Sequence, residues 1–217
     1  MLDILFRMRV YRGCWLTLGL LCLTFVSVSG ENWSRFRGLD GAGQSKETAI
    51  PSVWTKDDYL WRVELTGIGH SSPLVWQDQV IVSSALEADG TKIIQSRKTI
   101  DGSVLWETRI PLVRYDLGRS TSHDTASPAV DEKRVYLTWV SADKYHVAAL
   151  DRHSGDEVWR RNLSSFQSQH GAGASPIRFG DLLIVPNDQA GPSSTLAIDC
   201  ETGATRWSVD RRSGTTA

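Results

Sequence analysis

Three histidines in similar positions are the residues best suited to chemistry in this 217-residue chain. His70, His123 and His170 precede the prolines of three Ser-Pro pairs by three, five and six residues. Imidazoles gathered at one place can bind a metal ion or hydrogen-bond a ligand. Asp124 would orient His123, and Asp188 adds a carboxylate farther along the chain. The alternative is that all five are hydrated loop residues, and the unequal spacings weaken a metal site because coordination demands tight geometry.

The elements that must position these side chains form an internal repeat of about fifty residues. Three glycines are each followed four residues later by a tryptophan: Gly102 and Trp106, Gly155 and Trp159, Gly203 and Trp207. Trp61 marks the last strand of a preceding unit. In each unit a Ser-Pro pair opens the first of four short extended runs, which are separated by turn signals. Four short strands per unit, without helical periodicity, predict an all-β protein built from β-propeller blades.

The repeated residue types have a structural explanation. Glycine supplies the positive-φ turn between the third and fourth strands. In two units an aspartate four residues earlier, Asp151 or Asp199, can accept backbone N–H groups in that turn. Each tryptophan points out of its sheet and is worth roughly 4–6 kcal/mol, as an upper bound, when a neighbouring blade covers it. We therefore assign no chemistry to the repeated tryptophans and glycines.

The pattern Asp-x-x-Thr/Ser-Gly-x-x-x-Trp, with a Ser-Pro pair opening each unit, resembles the repeat of pyrroloquinoline-quinone (PQQ)-type propellers over residues 67–217. This family includes quinoprotein alcohol dehydrogenases, which bind the quinone and calcium, and non-enzymatic propellers such as an outer-membrane assembly lipoprotein that docks protein partners. The opening residues 32–43 are similar to secreted quinoprotein-like propellers of bacteria. The resemblance to the dehydrogenases implies a vicinal disulfide, but this chain has no adjacent cysteines, and no calcium ligand or catalytic aspartate can be matched.

Composition and the N-terminus limit location and partners. Residues 1–30 have the order of a secretory signal peptide, with three arginines before an uncharged run of 18 residues. A retained membrane anchor is the alternative. The remaining 21 basic and 24 acidic residues provide no basic field for nucleic acid. Cys200 is the single cysteine after residue 30, which excludes an intrachain disulfide or a cysteine-based zinc site there.

These observations predict a secreted or periplasmic, incomplete propeller of about three and a half blades. Residues 31–66 would supply one outer strand, and blades would follow at about 67–119, 120–167 and 168–217. Because closed propellers have about four to eight blades and open edges aggregate, we expect a C-terminally truncated chain rather than closure by oligomerisation.

The predicted function is binding or scaffolding of a protein or small-molecule partner at the channel mouth, where the first strands begin. We expect no nucleic-acid partner, no cofactor and no stable membrane span after signal cleavage. The alternative is a fragment of a PQQ-dependent dehydrogenase, so enzymatic activity stays open but is not favoured.

Overall fold

The computed structural model describes residues 30–48, 51–86, 88–113, 124–142, 144–168 and 171–211. Twelve strands in these ranges form three four-stranded antiparallel sheets, each ordered as in the sequence. The predicted all-β blade architecture is therefore confirmed. The signal-like residues 1–29 and the histidines His123 and His170 lie outside the described residues.

Each sheet is one blade. Blade 1 contains β1 (Leu74–Trp76), β2 (Gln79–Leu86), β3 (Thr91–Lys98) and β4 (Val104–Pro111). Blade 2 contains β5 (Ala129–Val130), β6 (Arg134–Ser141), β7 (Lys144–Asp151) and β8 (Glu157–Ser165). Blade 3 contains β9 (Ile177–Phe179), β10 (Leu182–Asn187), β11 (Ser193–Asp199) and β12 (Thr205–Arg211). Before blade 1, a short 3-10 helix spans Lys56–Asp58, and residues 61–65 belong to no β-ladder.

Blade 2 is buried on both faces because apolar residues continue along its strands without alternating with polar ones. In β6, Val135, Leu137 and Trp139 belong to the core shared with blade 1. Tyr136 and Val140, on the opposite face, belong to the core shared with blade 3. The two cores therefore lie between blades rather than inside one sheet.

The first strands of the blades meet along a common axis, since β1 contacts β5 and β5 contacts β9. The N-terminal segment lies beside them. Trp33 forms an antiparallel bridge with Val75, and the carbonyl of Ser34 accepts the amide of Val130 at 2.8 Å. Residues 33 and 34 thus join the innermost strands of blades 1 and 2.

The serines of the Ser-Pro pairs connect successive blades at the ends where the first strands begin. The amide of Ser72 donates to the hydroxyl of Ser127 at 2.8 Å, and the amide of Ser127 donates to the hydroxyl of Ser175 at 2.9 Å. The hydroxyls of Ser127 and Ser175 therefore cap the backbone of the preceding unit, which gives serine a structural role before these two prolines.

Three of the four repeat tryptophans, Trp61, Trp106 and Trp159, lie over the glycine turn of the next unit. A Cβ added to each of these glycines would meet the indole of the preceding unit's tryptophan within 2.5–2.8 Å; the pairs are Gly102 with Trp61, Gly155 with Trp106, and Gly203 with Trp159. Each of these indoles also donates its Nε1 hydrogen to a carbonyl in that turn region; the acceptors are Thr99, Arg152 and Cys200 at 2.7, 2.8 and 3.0 Å. Trp207 is 42% exposed.

The glycine turns of blades 2 and 3 are held by the aspartate four residues before the glycine. Oδ1 of Asp151 accepts the amides of His153 and Ser154 at 2.9 and 3.0 Å. Oδ1 of Asp199 accepts the amide of Thr202 at 2.8 Å, and its other oxygen pairs with Arg206. These contacts match the turn role that the sequence predicts for these aspartates.

Candidate functional site

Two of the predicted site residues lie together where the first strands begin. His70 and Asp124 precede β1 and β5, and the amide of His70 donates to the carbonyl oxygen of Asp124 at 2.9 Å. His70 is an exposed residue, whereas Asp124 is 1% exposed. This end of the blade stack is the channel mouth of the predicted architecture.

The carboxylate of Asp124 is the centre of a buried polar cluster, which we call the Asp124 cluster and which contains Ser71, Ser83, Lys92 and Asp124. Nζ of Lys92 forms an ion pair with Oδ1 of Asp124. The hydroxyl of Ser83 donates to Oδ1 at 3.1 Å, and the hydroxyl of Ser71 donates to Oδ2 at 3.3 Å. Both carboxylate oxygens are thus engaged by groups of blade 1, so the cluster joins blade 1 to the segment before blade 2.

Strand geometry explains why these groups meet. Ser83 on β2 lies directly opposite Ile94 on β3, and Lys92 precedes Ile94 by two residues, so all three side chains lie on one face of the sheet. That face packs against blade 2, because Ile94 belongs to the core that the two blades share. Gly69 leaves room for the carboxylate, since a Cβ there would lie 2.9 Å from Oδ2 of Asp124.

The ion pair is fully removed from solvent, with side chains of Lys92 and Asp124 that are 2% and 0% exposed. Burial lowers the pKa of Lys92 to about 7. The adjacent carboxylate acts in the opposite sense, because it favours the ammonium form. A buried pair of this kind is costly to break, since removing one partner leaves an uncompensated charge.

Sequence reasoning found Asp124 but missed Lys92, Ser71 and Ser83. Lys92 lies on β3 two residues before Ile94, and this period-2 spacing is the signal that its side chain shares the interior face with Ile94. The identity of its partner depends on blade packing and has no local signature.

Asp188 lies elsewhere in the fold. It follows β10, and its Oδ2 pairs with Nη1 of Arg211 on the outermost strand β12 at 2.6 Å. Its neighbour Gln189 is buried and accepts the amide of Gln167 through its side chain at 3.0 Å. The ion pair with Arg211 ties Asp188 to the outer part of blade 3 rather than to the Asp124 cluster.

The cofactor set implied by the dehydrogenase resemblance does not fit the described residues. Within the ranges that the structure covers, no three His, Cys, Asp or Glu side chains come close enough together to hold a metal ion. Cys200, the cysteine in those ranges, is buried and not disulfide-bonded. We therefore derive no chemical step through a quinone or calcium ion.

The ordered antiparallel sheets, with first strands that meet along one axis, define blades of a β-propeller. Among solved structures, a europium-containing methanol dehydrogenase is similar with a TM-score of 0.51 and 18% identity, over 67% of this chain and 25% of its own. Quinohemoprotein alcohol dehydrogenase ADHIIG from Pseudomonas putida HK5 is similar with a TM-score of 0.50 and 17% identity, over 69% and 22%. BamB from Moraxella catarrhalis has a TM-score of 0.49 and 21% identity, over 70% and 43%.

The likeness to the two dehydrogenases shows that the fold is a β-propeller, as the repeat predicts. The chain spans 22% to 43% of the length of these three proteins. No family model matches the chain, and no curated protein matches it. In the described part of the chain, no helix has the length and apolar character to cross a membrane.

Proposed function

We propose that this chain is a binding or scaffold module of the cell envelope that engages a protein partner beside the channel mouth. The observation that carries the proposal is a contrast between polar and apolar groups. The carboxylate of Asp124 forms an ion pair and accepts hydrogen bonds from two hydroxyl groups inside the protein. A stretch of large apolar side chains that leads up to Ile68, beside the Asp124 cluster, stays exposed, and such groups mark protein-interaction surfaces.

The exposed apolar residues lie between residues 53 and 68, and we call this stretch the apolar segment. Its exposed members are Val53, Trp54, Tyr59, Leu60, Leu65 and Ile68. Leu60 is 87% exposed. The segment ends beside the Asp124 cluster, because Ile68 forms an antiparallel bridge with Ala85 on β2. A partner bound there would contact a rigid support, since β2 is held on both sides by neighbouring strands.

Pull-down by the immobilised full chain from an envelope extract, after chemical cross-linking, tests this proposal. We expect the same partner protein to be recovered by the unchanged chain and by Phe179→Ser, which alters an exposed apolar residue on blade 3. The double variant Leu60→Ser, Ile68→Ser is expected to lose that partner. The proposal fails if the unchanged chain recovers no specific partner, or if the double variant recovers it equally well.

The proposed location rests on the signal-like order of residues 1–30. Cell fractionation should recover the chain outside the cytoplasm. Recovery in the cytoplasmic fraction alone would contradict an envelope role.

The dehydrogenase alternative is tested separately by adding the quinone and calcium ions to the purified full chain. We expect no quinone absorbance to remain with the protein after gel filtration. A retained chromophore, together with alcohol-dependent reduction of a dye, would replace the binding proposal with an oxidoreductase.

A further inference from the structure

Two adjoining cavities lie at the opposite end of the first strands from the Asp124 cluster. Their volumes are about 340 and 110 Å³. Trp76, Asp131 and Arg178 line both of them. Trp76 ends β1, Asp131 follows β5, and Arg178 lies in β9, so all three blades contribute to one cleft. The larger volume falls within the range of roughly 300–1,000 Å³ that is typical of small-molecule sites.

The polar wall of the cleft is held rigidly. Asp131 accepts the hydroxyl of Tyr136 at 2.9 Å and the amides of Lys133 and Arg134 at 2.8 Å each. Nε of Arg178 pairs with the same carboxylate at 2.9 Å. The carboxylate side chain is 12% exposed, whereas the Arg178 side chain is 45% exposed. The guanidinium is therefore fixed at one end and still accessible to a ligand.

Two buried donors in the cleft lining have no hydrogen-bond partner among the described residues. They are Nε1 of Trp76 and Nε of Arg134. An unpaired buried donor costs free energy that an acceptor would recover. Both residues line the larger cavity, but these two nitrogens are themselves closed off from it, so the donor open to a ligand's hydroxyl or carbonyl oxygens is the guanidinium of Arg178.

The charges of the lining disfavour an anionic ligand. Within the described residues, five carboxylates and three basic groups line the larger cavity, so a polyanion would meet a negative surface. Several of these charges are already paired, as Arg134 is with Asp151 and Glu201 at 3.5 and 3.4 Å. Half-buried Trp76 adds an apolar ring to a wall that is otherwise rich in donors and acceptors.

We propose that this cleft is a binding site for a neutral polyhydroxylated ligand of mono- or disaccharide size. The indole of Trp76 supports the apolar face of the sugar ring, and the guanidinium of Arg178 donates to its oxygens. This site is separate from the apolar segment proposed above for a protein partner, and either can exist without the other.

Titration of the full chain with glucose, N-acetylglucosamine, maltose and cellobiose tests the proposal by calorimetry and saturation-transfer NMR. We expect at least one sugar to bind with a Kd of about 1 mM or tighter. Trp76→Ala and Arg178→Gln should each weaken that binding by about tenfold or more. Trp76→Phe keeps a smaller aromatic ring and should weaken it by roughly threefold.

The matched control is Arg109→Gln, which alters an exposed arginine on β4 and should leave sugar binding unchanged. If Trp76→Ala loses its native circular dichroism, Arg178→Gln and Trp76→Phe decide the matter. The proposal is overturned if none of the sugars binds, if Arg178→Gln binds as tightly as the unchanged chain, or if inorganic phosphate displaces the sugar.

Discussion

The indole of Trp106 lies directly against Gly155, so that a Cβ on this glycine would stand 2.5 Å from Cε3 of the ring. The same indole donates to the carbonyl of Arg152 at 2.8 Å. A side chain and a turn from different blades are thus joined by both ring packing and a hydrogen bond. The glycine is required for its positive φ of 77° and also for the space that it leaves.

Gly155→Ala should therefore be strongly destabilising, by roughly 2–4 kcal/mol, because it combines left-handed strain with displacement of a buried ring. Gly180→Ala is a matched control, since Gly180 has a φ of 62° but no atom within 4 Å of an added Cβ. Strain alone should cost this control about 1 kcal/mol. Urea denaturation of both variants measures the difference, and equal losses would contradict the packing explanation.

Trp106 and Trp207 occupy equivalent positions in the repeat but are 7% and 42% exposed. Trp106→Phe should cost about 2–3 kcal/mol, because it removes buried ring area and the Nε1 hydrogen bond. Trp207→Phe should stay within about 0.5 kcal/mol, as surface substitutions usually do. Thermal unfolding compares the two variants. Acrylamide quenching of fluorescence should also fall in Trp207→Phe and not in Trp106→Phe.

Lys92→Met should destabilise the protein by about 3–5 kcal/mol, because it leaves the carboxylate of Asp124 buried without its cation. The double variant Lys92→Met, Asp124→Asn should recover part of this loss, since it removes the buried charge and keeps an acceptor for Ser83. Arg109→Met breaks the exposed pair with Glu107 and should cost less than about 1 kcal/mol. Additive losses in a double-mutant cycle on Lys92 and Asp124 would argue against coupling.

Hydrogen bonds from Arg206, and then from Thr202, hold the pKa of Asp199 well below its ordinary value. The folded state therefore binds this proton less readily than the unfolded state does. Its contribution to stability is present above the unfolded pKa of about 3.9 and is lost as the pH falls below it toward the folded value.

Arg206→Gln should make the acid loss of stability shallower, because it raises the folded pKa of Asp199 toward the unfolded one. Denaturation midpoints between neutral and acidic pH measure this slope. Arg160→Gln, which alters a partly exposed pair with Glu157, serves as the control. A steeper acid slope in Arg206→Gln than in the unchanged chain would contradict this assignment.

The blade architecture was predictable because its signals are local. Gly102 and Trp106 are four residues apart, and the turn and strand between them follow from backbone sterics alone. The direction of the contact was not predictable, because nothing local says that Trp106 packs on the turn of the following unit. The Ser-Pro pairs likewise marked strand starts without showing that the hydroxyls of Ser127 and Ser175 cap the preceding blade.

The candidate sites were less predictable than the fold. The partnership of Lys92 and Asp124 joins residues 32 positions apart and depends on how two sheets pack. The cleft at Trp76 draws residues from three units, and each is ordinary in its own segment. The histidine pattern suggested a site shared by His70, His123 and His170. Of these three, His70 lies within the described residues, and its backbone amide donates to the carbonyl oxygen of Asp124.

The three contacts between a repeat tryptophan and a glycine turn all run forward along the chain, from Trp61 to Gly102, from Trp106 to Gly155 and from Trp159 to Gly203. Blades 1 and 2 therefore each carry a tryptophan that packs on the following unit and a glycine turn that receives the tryptophan of the preceding unit. Duplication or deletion of one whole unit conserves every contact of this kind, whereas a break within a unit separates a tryptophan from its glycine turn. These contacts have one direction along the chain. Whole units can therefore be gained or lost while the contacts between the remaining units are kept.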